Sequence, residues 1–137
     1  MQIKPCSVAD CSLLASMNKR LIEDEKSSNP MNILQLEERM RRFLESEYSA
    51  FYFMVEDTVI GYALVRHTSS PLYLRQFFID REYRRKRHGT QAFRLLLEHL
   101  QTDTIDIDVL PWNARGMAFW QSCGFRETCI SMRHQPQ

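Results

Sequence analysis

The densest charge in the chain is the stretch REYRRKRH, residues 81–88. It holds Arg81, Arg84, Arg85, Lys86 and Arg87, and Gly89 follows it. An apolar strand pattern precedes it over 72–80 and a helical pattern follows from about Thr90 to Gln101. A strand running through a basic loop into a helix start can hold an anion. The first-turn N–H groups lack intrahelical partners and the helix dipole favours negative charge there. The ligand implied carries phosphates. Two other readings stand beside it: a solvated basic loop and a nucleic-acid patch. Against the latter, no aromatic platform motif accompanies the loop.

Carboxylates form the second set. On a strand over 104–110, Asp106 and Asp108 share one face, and Ile105, Ile107 and Val109 the other. That face is either solvated where a sheet splays, or it places Asp108 in a cleft as a base. Glu23, Asp24 and Glu25 end the first predicted helix. A carboxylate at a helix C-terminus is electrostatically unfavourable, so the cluster reads either as solvent-exposed or as a site for a cationic amine. His67, His88, His99 and His134 have no metal-ligand spacing, and no metal is expected. Cys6, Cys11, Cys123 and Cys129 form no CxxC pair and read as reduced thiols.

The elements that must position these groups are legible in outline. Residues 2–6 read as a strand. Ser7 and Asp10 are a helix start signal, and Cys11, Leu14, Met17 or Asn18, and Leu21 recur at helical period up to about Lys26. A second helix follows Asn32, with Gln35 completing a capping box and Ile33, Leu36, Met40, Phe43 and Leu44 as its stripe. Residues 50–56 and 58–67 form a hairpin about Glu56-Asp57, and Gly61 suggests a bulge or close backbone approach. After the 72–80 strand and the 90–101 helix come the 104–110 strand, a helix over 113–122 and a last strand over 125–133. The order β-α-α-β-β-β-α-β-α-β predicts an α/β (α+β) fold, a mixed and mostly antiparallel central sheet flanked by helices, in a single domain over 1–137.

Composition narrows the function. The 137 residues are 44% hydrophobic and 26% charged, with a net charge of +1. That balance disfavours disorder and a dedicated nucleic-acid binder. The start, MQIKPCSVAD, lacks the apolar stretch of a secretory signal and no run approaches a membrane span, so a cytoplasmic protein without membrane partners is expected.

Residues 77–93, FFIDREYRRKRHGTQAF, resemble motif A of the GNAT superfamily, the acetyl-CoA-dependent N-acetyltransferases. The motif reads V-x-P-x-Y-R-x-x-G-x-G/A, and Ile79, Tyr83, Arg84 and Gly89 match it. Residues 113–125, NARGMAFWQSCGF, resemble motif B, N-x-x-A-x-x-[FL]-[YW]-x-x-x-G-F, through Asn113, Phe119, Trp120, Gly124 and Phe125. The first motif A glycine is Arg87 here, and Gly116 stands in the alanine place of motif B.

The resemblance implies acetyl-CoA as cosubstrate and a primary amine, on a small molecule or a protein, as acceptor. It implies that backbone groups of Phe77, Phe78 and Ile79 pair with the pantetheine arm. The N–H of Phe78 or a neighbour should polarise the acetyl carbonyl. Arg84 belongs to the same cofactor set, and the amides of Arg85, Lys86, Arg87, His88, Gly89 and Thr90 should hold the pyrophosphate. Asn113 should face the pantetheine or acetyl group, with Trp120 packing beside the cofactor. Many family members carry a Tyr at the Trp120 place as the acid for the leaving thiolate, and an indole N–H is too weak an acid for that task. Asp108 stands five residues before Asn113, where ribosomal-protein N-terminal acetyltransferases carry a glutamate base. The end of the first helix, Glu23, Asp24 and Glu25, lies where the family commonly builds its acceptor site. A non-catalytic acyl-CoA binder and, less favoured, nucleic-acid binding through 81–88 are the competing functions. An exposed edge on the last strand would leave room for a homodimer.

Overall fold

The computed structural model describes residues 1–136. Strand β1 (Gln2–Pro5) leads to Ser7, whose hydroxyl accepts from Ala9 N–H at 3.3 Å while its own N–H donates to Asp10 Oδ2 at 2.8 Å. This reciprocal cap starts a short 3-10 turn that runs into α1 (Cys11–Asp24). Cys11, Leu14, Ala15, Met17, Asn18, Leu21 and Ile22 form its buried stripe, so both Met17 and Asn18 face inward. Helix α2 (Ile33–Leu44) begins with the expected Asn32–Gln35 box and buries Leu36 and Met40.

The sheet is β1-β2-β3-β4-β5 in spatial order, with β2 Tyr48–Val55, β3 Thr58–Arg66, β4 Leu72–Ile79 and β5 Ile105–Asp106. Its pairings are antiparallel except β4–β5, which is parallel. Strand β3 is buried continuously from Ile60 to Val65 because helices cover both faces. One face holds Phe51, Phe53, Ile60, Leu74, Phe93 and Leu96 under α3 (His88–Leu100) and α4 (Ala114–Ser122). The other packs Tyr52, Tyr62, Leu64 and Phe78 against Leu14, Met17 and Met40 of α1 and α2. At Gly61 the expected close approach occurs: a Cβ there would lie 2.0 Å from the Phe78 carbonyl oxygen.

The mixed sheet and the expected element order hold, with two corrections. The 104–110 strand pairs only at Ile105 and Asp106, although Ile105 and Ile107 still pack inward and Asp106 and Asp108 outward. The strand expected over 125–133 is absent. Gly124 turns the chain at φ +99°, Phe125 packs 5.3 Å from the Phe93 ring centroid, and residues 126–136 are exposed. A strand needs a partner edge, and a two-residue β5 offers almost none. The sheet therefore ends at β5 and not at the last strand on which the homodimer expectation rested. Among the described residues, no helix is long and apolar enough to cross a membrane.

Candidate functional site

The site begins where β4 and β5 part. They pair at Leu72↔Ile105 and Tyr73↔Asp106 and nowhere further along. On the other edge of β4, Leu74 faces Val65 and Gln76 faces Leu64, so Arg75 is one residue too many and forms a bulge. Beyond it, the outer edge of β4 borders an open wedge. Backbone groups alternate sides along a strand. The Phe78 carbonyl points at Gly61 of β3, and Asp80 N–H donates to Ile60 O at 2.7 Å. Phe77 and Ile79 therefore turn to the wedge. Phe78, named as the first choice for polarising a carbonyl, turns to β3, and its two neighbours hold the position expected of it.

The Ile79 carbonyl already accepts from Arg84 Nε at 2.8 Å. Arg84 also binds Asp24 and lies with its guanidinium carbon 5.7 Å from the Phe78 ring centroid. Among the expected cofactor residues, its side chain is thus used to fasten the basic loop to β4 and α1.

The loop then enters α3 without a side-chain cap. Arg85 and Arg87 take left-handed backbone angles, φ 66° and φ 62°. For a non-glycine residue that costs on the order of 1 kcal/mol each. Arg87 is the residue before the helix, and no side chain bonds to the first turn. The first α-helical bond there runs from Gln91 N–H to Arg87 O at 3.0 Å, leaving the amides of His88, Gly89 and Thr90 without intrahelical partners. Arg85, Lys86 and Arg87 are exposed around them. His88 is fixed by an Nδ1 contact of 3.0 Å to Tyr83 O. Gly89 serves packing: a Cβ there would meet the Phe119 ring at 3.2 Å. Of the two motif glycines, the one whose backbone is left-handed is the one replaced by arginine.

Along the wedge a cleft of about 310 Å³, counted to its open mouth, is lined by Leu21, Glu25, Leu74, Arg75, Gln76, Phe77, Ile107, Asp108 and Trp120. Asp108 Oδ2 accepts from the Tyr73 hydroxyl at 2.8 Å. Burial, together with the Asp108 hydrogen bond and charge, pushes the Tyr73 phenol well above its ordinary pKa and keeps it protonated. The acidic cluster of α1 divides three ways. Glu23 is exposed to solvent. Asp24 is gripped by Arg81, at 2.7 and 3.1 Å, and by Arg84. Burial opposes its charge, but the two guanidiniums outweigh it and hold the carboxyl below the usual range. Glu25 reaches the cleft, and burial followed by the Asp24 charge raises its pKa. Of the three, Glu25 is the one that lines the cleft.

Trp120 sits in an aromatic cluster, 5.1 Å from Phe77, 5.4 Å from Phe93 and 5.2 Å from Phe125 by ring centroids, with one side on the cleft. The Asn113 side chain accepts from Gly116 N–H at 3.0 Å and so caps α4. Its placement is that of a helix cap at the rim. Three contributors were not read from sequence: Tyr73, which orients Asp108, Arg75 of the bulge, and Trp112, whose indole N–H donates to Glu25 O at 3.1 Å. Only the bulge has a local signal. Arg75-Gln76 breaks the apolar phase of LYLRQFFID.

Comparison with known proteins supplies the family. A search of curated proteins finds no match. Among solved structures, a possible acetyltransferase from Clostridium difficile 630 superimposes with a TM-score of 0.80 at 17% identity, covering 99% of this chain and 97% of that one. An aminoglycoside N-acetyltransferase in complex with CoA gives 0.73 at 16% identity over 99% and 94%. A ribosomal-protein-alanine N-acetyltransferase from Brucella melitensis biovar Abortus 2308 gives 0.75 at 10% identity over 98% and 98%. At these identities the likeness is one of fold. The model of the acetyltransferase (GNAT) family matches residues 18–125, which takes in α2, the wedge, the uncapped helix start and the aromatic cluster, and the chain belongs to that family.

Proposed function

We propose that this protein transfers an acetyl group from acetyl-CoA to a primary amine. The observation that carries the reading is the juxtaposition on one strand. The free edge of β4 opens beside Glu25 and Asp108, and the same strand leads into the uncapped first turn of α3. The residues present fit the cofactor. The amides of His88, Gly89 and Thr90, with the exposed Arg85, Lys86 and Arg87, form a cationic cradle for a pyrophosphate. The wedge-facing backbone of Phe77 and Ile79 can take an extended pantetheine as an added strand. When bound, acetyl-CoA supplies the acyl group as an activated thioester.

The chain's own residues then have separable tasks. A wedge-facing N–H of Phe77 or Ile79 polarises the acetyl carbonyl. Glu25 and Asp108 attract the ammonium form of the acceptor. Asp108, oriented by the Tyr73 hydroxyl, takes the proton that the amine must lose before attack. As the amide C–N bond forms the thioester C–S bond breaks, and the leaving thiolate would take its proton from water at the open mouth of the cleft, since Trp120 offers no acidic one. Trp120 and Phe77 exclude water from one wall of the cleft. The fold relatives that acetylate aminoglycosides and ribosomal-protein alanine support an amine acceptor in general.

The test pairs calorimetric titration of acetyl-CoA with a thiol-release assay over a panel of amines. Binding with turnover of at least one amine is expected. Asp108→Asn should lower kcat about 100-fold, the scale of general base catalysis, with acetyl-CoA affinity kept. Absence of acetyl-CoA binding by the folded protein would overturn the reading. Binding without turnover of any amine would favour a non-catalytic acyl-CoA binder, to which the lack of an acidic proton on Trp120 is suited.

A further inference from the structure

Two arginines on the α1–α2 face of the sheet have no carboxylate partner among the described residues. Arg39 projects from α2 and Arg75 from the β4 bulge. Their guanidinium carbons lie 5.4 and 4.8 Å from the centroid of the same ring, Phe43. Arg39 donates to the neutral Asn18 Oδ1 at 3.1 Å, and Arg75 to the neutral Tyr48 hydroxyl at 3.4 Å. Arg39 Nε is buried with no partner at all. On α1 and α2 the other arginines, Arg20, Arg41 and Arg42, each meet a carboxylate within 4.0 Å.

A guanidinium taken out of water without a counterion is costly, and a second one beside it adds repulsion. Burial, and then the charge of Arg75, lower the Arg39 pKa, while Arg75 itself is exposed. Arg75 also lines the cleft that Glu25 and Asp108 share, and Gln76 on the same wall accepts from the buried Tyr62 hydroxyl at 2.8 Å. The groove is therefore bipolar, with acid where the amine must lie and unneutralised base along the same wall. We infer that the acceptor is an amine carrying its own oxyanion, a carboxylate or a phosphate, which Arg75 of the cleft wall binds, with the Arg39 charge behind it across the Phe43 ring, while Glu25 and Asp108 hold the ammonium. This rests on the amine-acetylation reading. A guanidinium fork matches either oxyanion through paired N–H donors, and the ligand would supply the counterion that the chain omits.

The experiment uses acetyl-CoA-loaded protein, so that the α3 loop is filled and anions report on the second site. The probes are ω-amino acids of about two to six carbons and phosphoethanolamine. Matched ω-amino amides and ethanolamine lack the anion. Thiol release and thermal shift are both read. The expected result is kcat/KM at least about tenfold higher for one anionic series than for its neutral match, about 1.4 kcal/mol, carried mainly by KM. Arg39→Gln and Arg75→Gln should bring that ratio toward one, whereas Arg42→Gln, on the exposed face of α2, should leave it unchanged. Which series wins separates carboxylate from phosphate. Neutral amines turned over as well as anionic ones, or a ratio that survives both substitutions, would overturn the inference. If acetyl-CoA binds but no amine reacts, the transferase reading fails separately. The thermal shift then decides the oxyanion site: anion-specific stabilisation lost in Arg39→Gln and Arg75→Gln upholds it, and equal shifts in parent and variants remove it.

Discussion

Helices α2 and α3 are of similar length and begin in opposite ways. Asn32 caps α2 by accepting from Gln35 N–H at 2.9 Å, and Gln35 Oε1 accepts from Asn32 N–H at 2.9 Å. The first turn of α2 is closed on itself. At α3 the preceding residue is Arg87, the third helical residue is Thr90, and no side chain caps the turn. The residue types are those a stable isolated helix would avoid, since a cation sits at the positive end of the dipole. The left-handed backbone at Arg85 and Arg87 adds strain to an already unfavourable start. A helix start that is left open, ringed by cations and strained suits an anion, and on the function proposed above that anion is the pyrophosphate. The difference between the two turns separates residues that hold the fold from residues reserved for a ligand.

The comparison is broken most directly by making α3 start like α2. Thr90→Glu puts a carboxylate at the position Gln35 occupies in α2. It should leave thermal stability unchanged or slightly raised, because a negative charge suits a helix N-terminus. Acetyl-CoA affinity should fall about 100-fold, near 2.7 kcal/mol, since a carboxylate and a pyrophosphate would compete for the same amides. Calorimetry beside a melting curve checks both. Unchanged affinity would place the phosphates elsewhere.

The next effect concerns what fastens the open turn. Asp24→Asn removes the carboxylate that Arg81 and Arg84 share and should cost about 1.5–3 kcal/mol by chemical denaturation, the scale of hydrogen bonds to charged groups. Its pKa is depressed in the fold, so the stabilisation is present above the unfolded value near about 4 and is lost as pH falls below it. Asp80, whose depressed pKa reflects the Glu82 N–H and Arg20 acting against burial, titrates in the same direction. The parent should therefore lose stability more steeply on acidification below about pH 4 than Asp24→Asn does. Parallel acid-unfolding profiles would show that the ion pair is weak.

At the closed turn, Asn32→Ala should cost about 1 kcal/mol of stability. It should leave the acetyl-CoA dissociation constant unchanged, because α2 packs on the opposite face of the sheet from α3. A change in cofactor affinity would mean that the two helix starts are coupled.

The division between legible and illegible parts follows the range of the interactions. The Ser7–Asp10 and Asn32–Gln35 boxes, the α1 stripe and the Gly61 approach rest on residues a few positions apart or on one backbone demand, and their patterns are readable. The grip of Arg81 and Arg84 on Asp24 joins residues far apart in the chain, and nothing local marks which of Glu23, Asp24 and Glu25 it takes. The alternation of Thr128, Ile130 and Met132 resembles a strand, yet a strand exists only where an edge receives it. The choice of Phe77 and Ile79 over Phe78 depends on a bulge that shifts the phase of β4, and that phase is set by pairing with β3.

The smallest effect tests whether Arg87 helps or hinders its own loop. Its backbone is left-handed, so Arg87→Gly relieves about 1 kcal/mol of strain. Glycine also widens the unfolded ensemble, which returns about 0.4–1 kcal/mol. The two nearly cancel, and stability should move by less than about 0.5 kcal/mol. Affinity for acetyl-CoA is then a clean readout of the side chain. If the guanidinium donates to phosphate, Arg87→Gly should weaken binding severalfold, and Arg87→Asn, which tolerates the same backbone but is neutral, should weaken it equally. If the side chain merely crowds the cradle, glycine should tighten binding and asparagine should fall between. The exposed position of Arg87 and the lack of any ion pair to it among the described residues favour the first outcome, a loss in both variants.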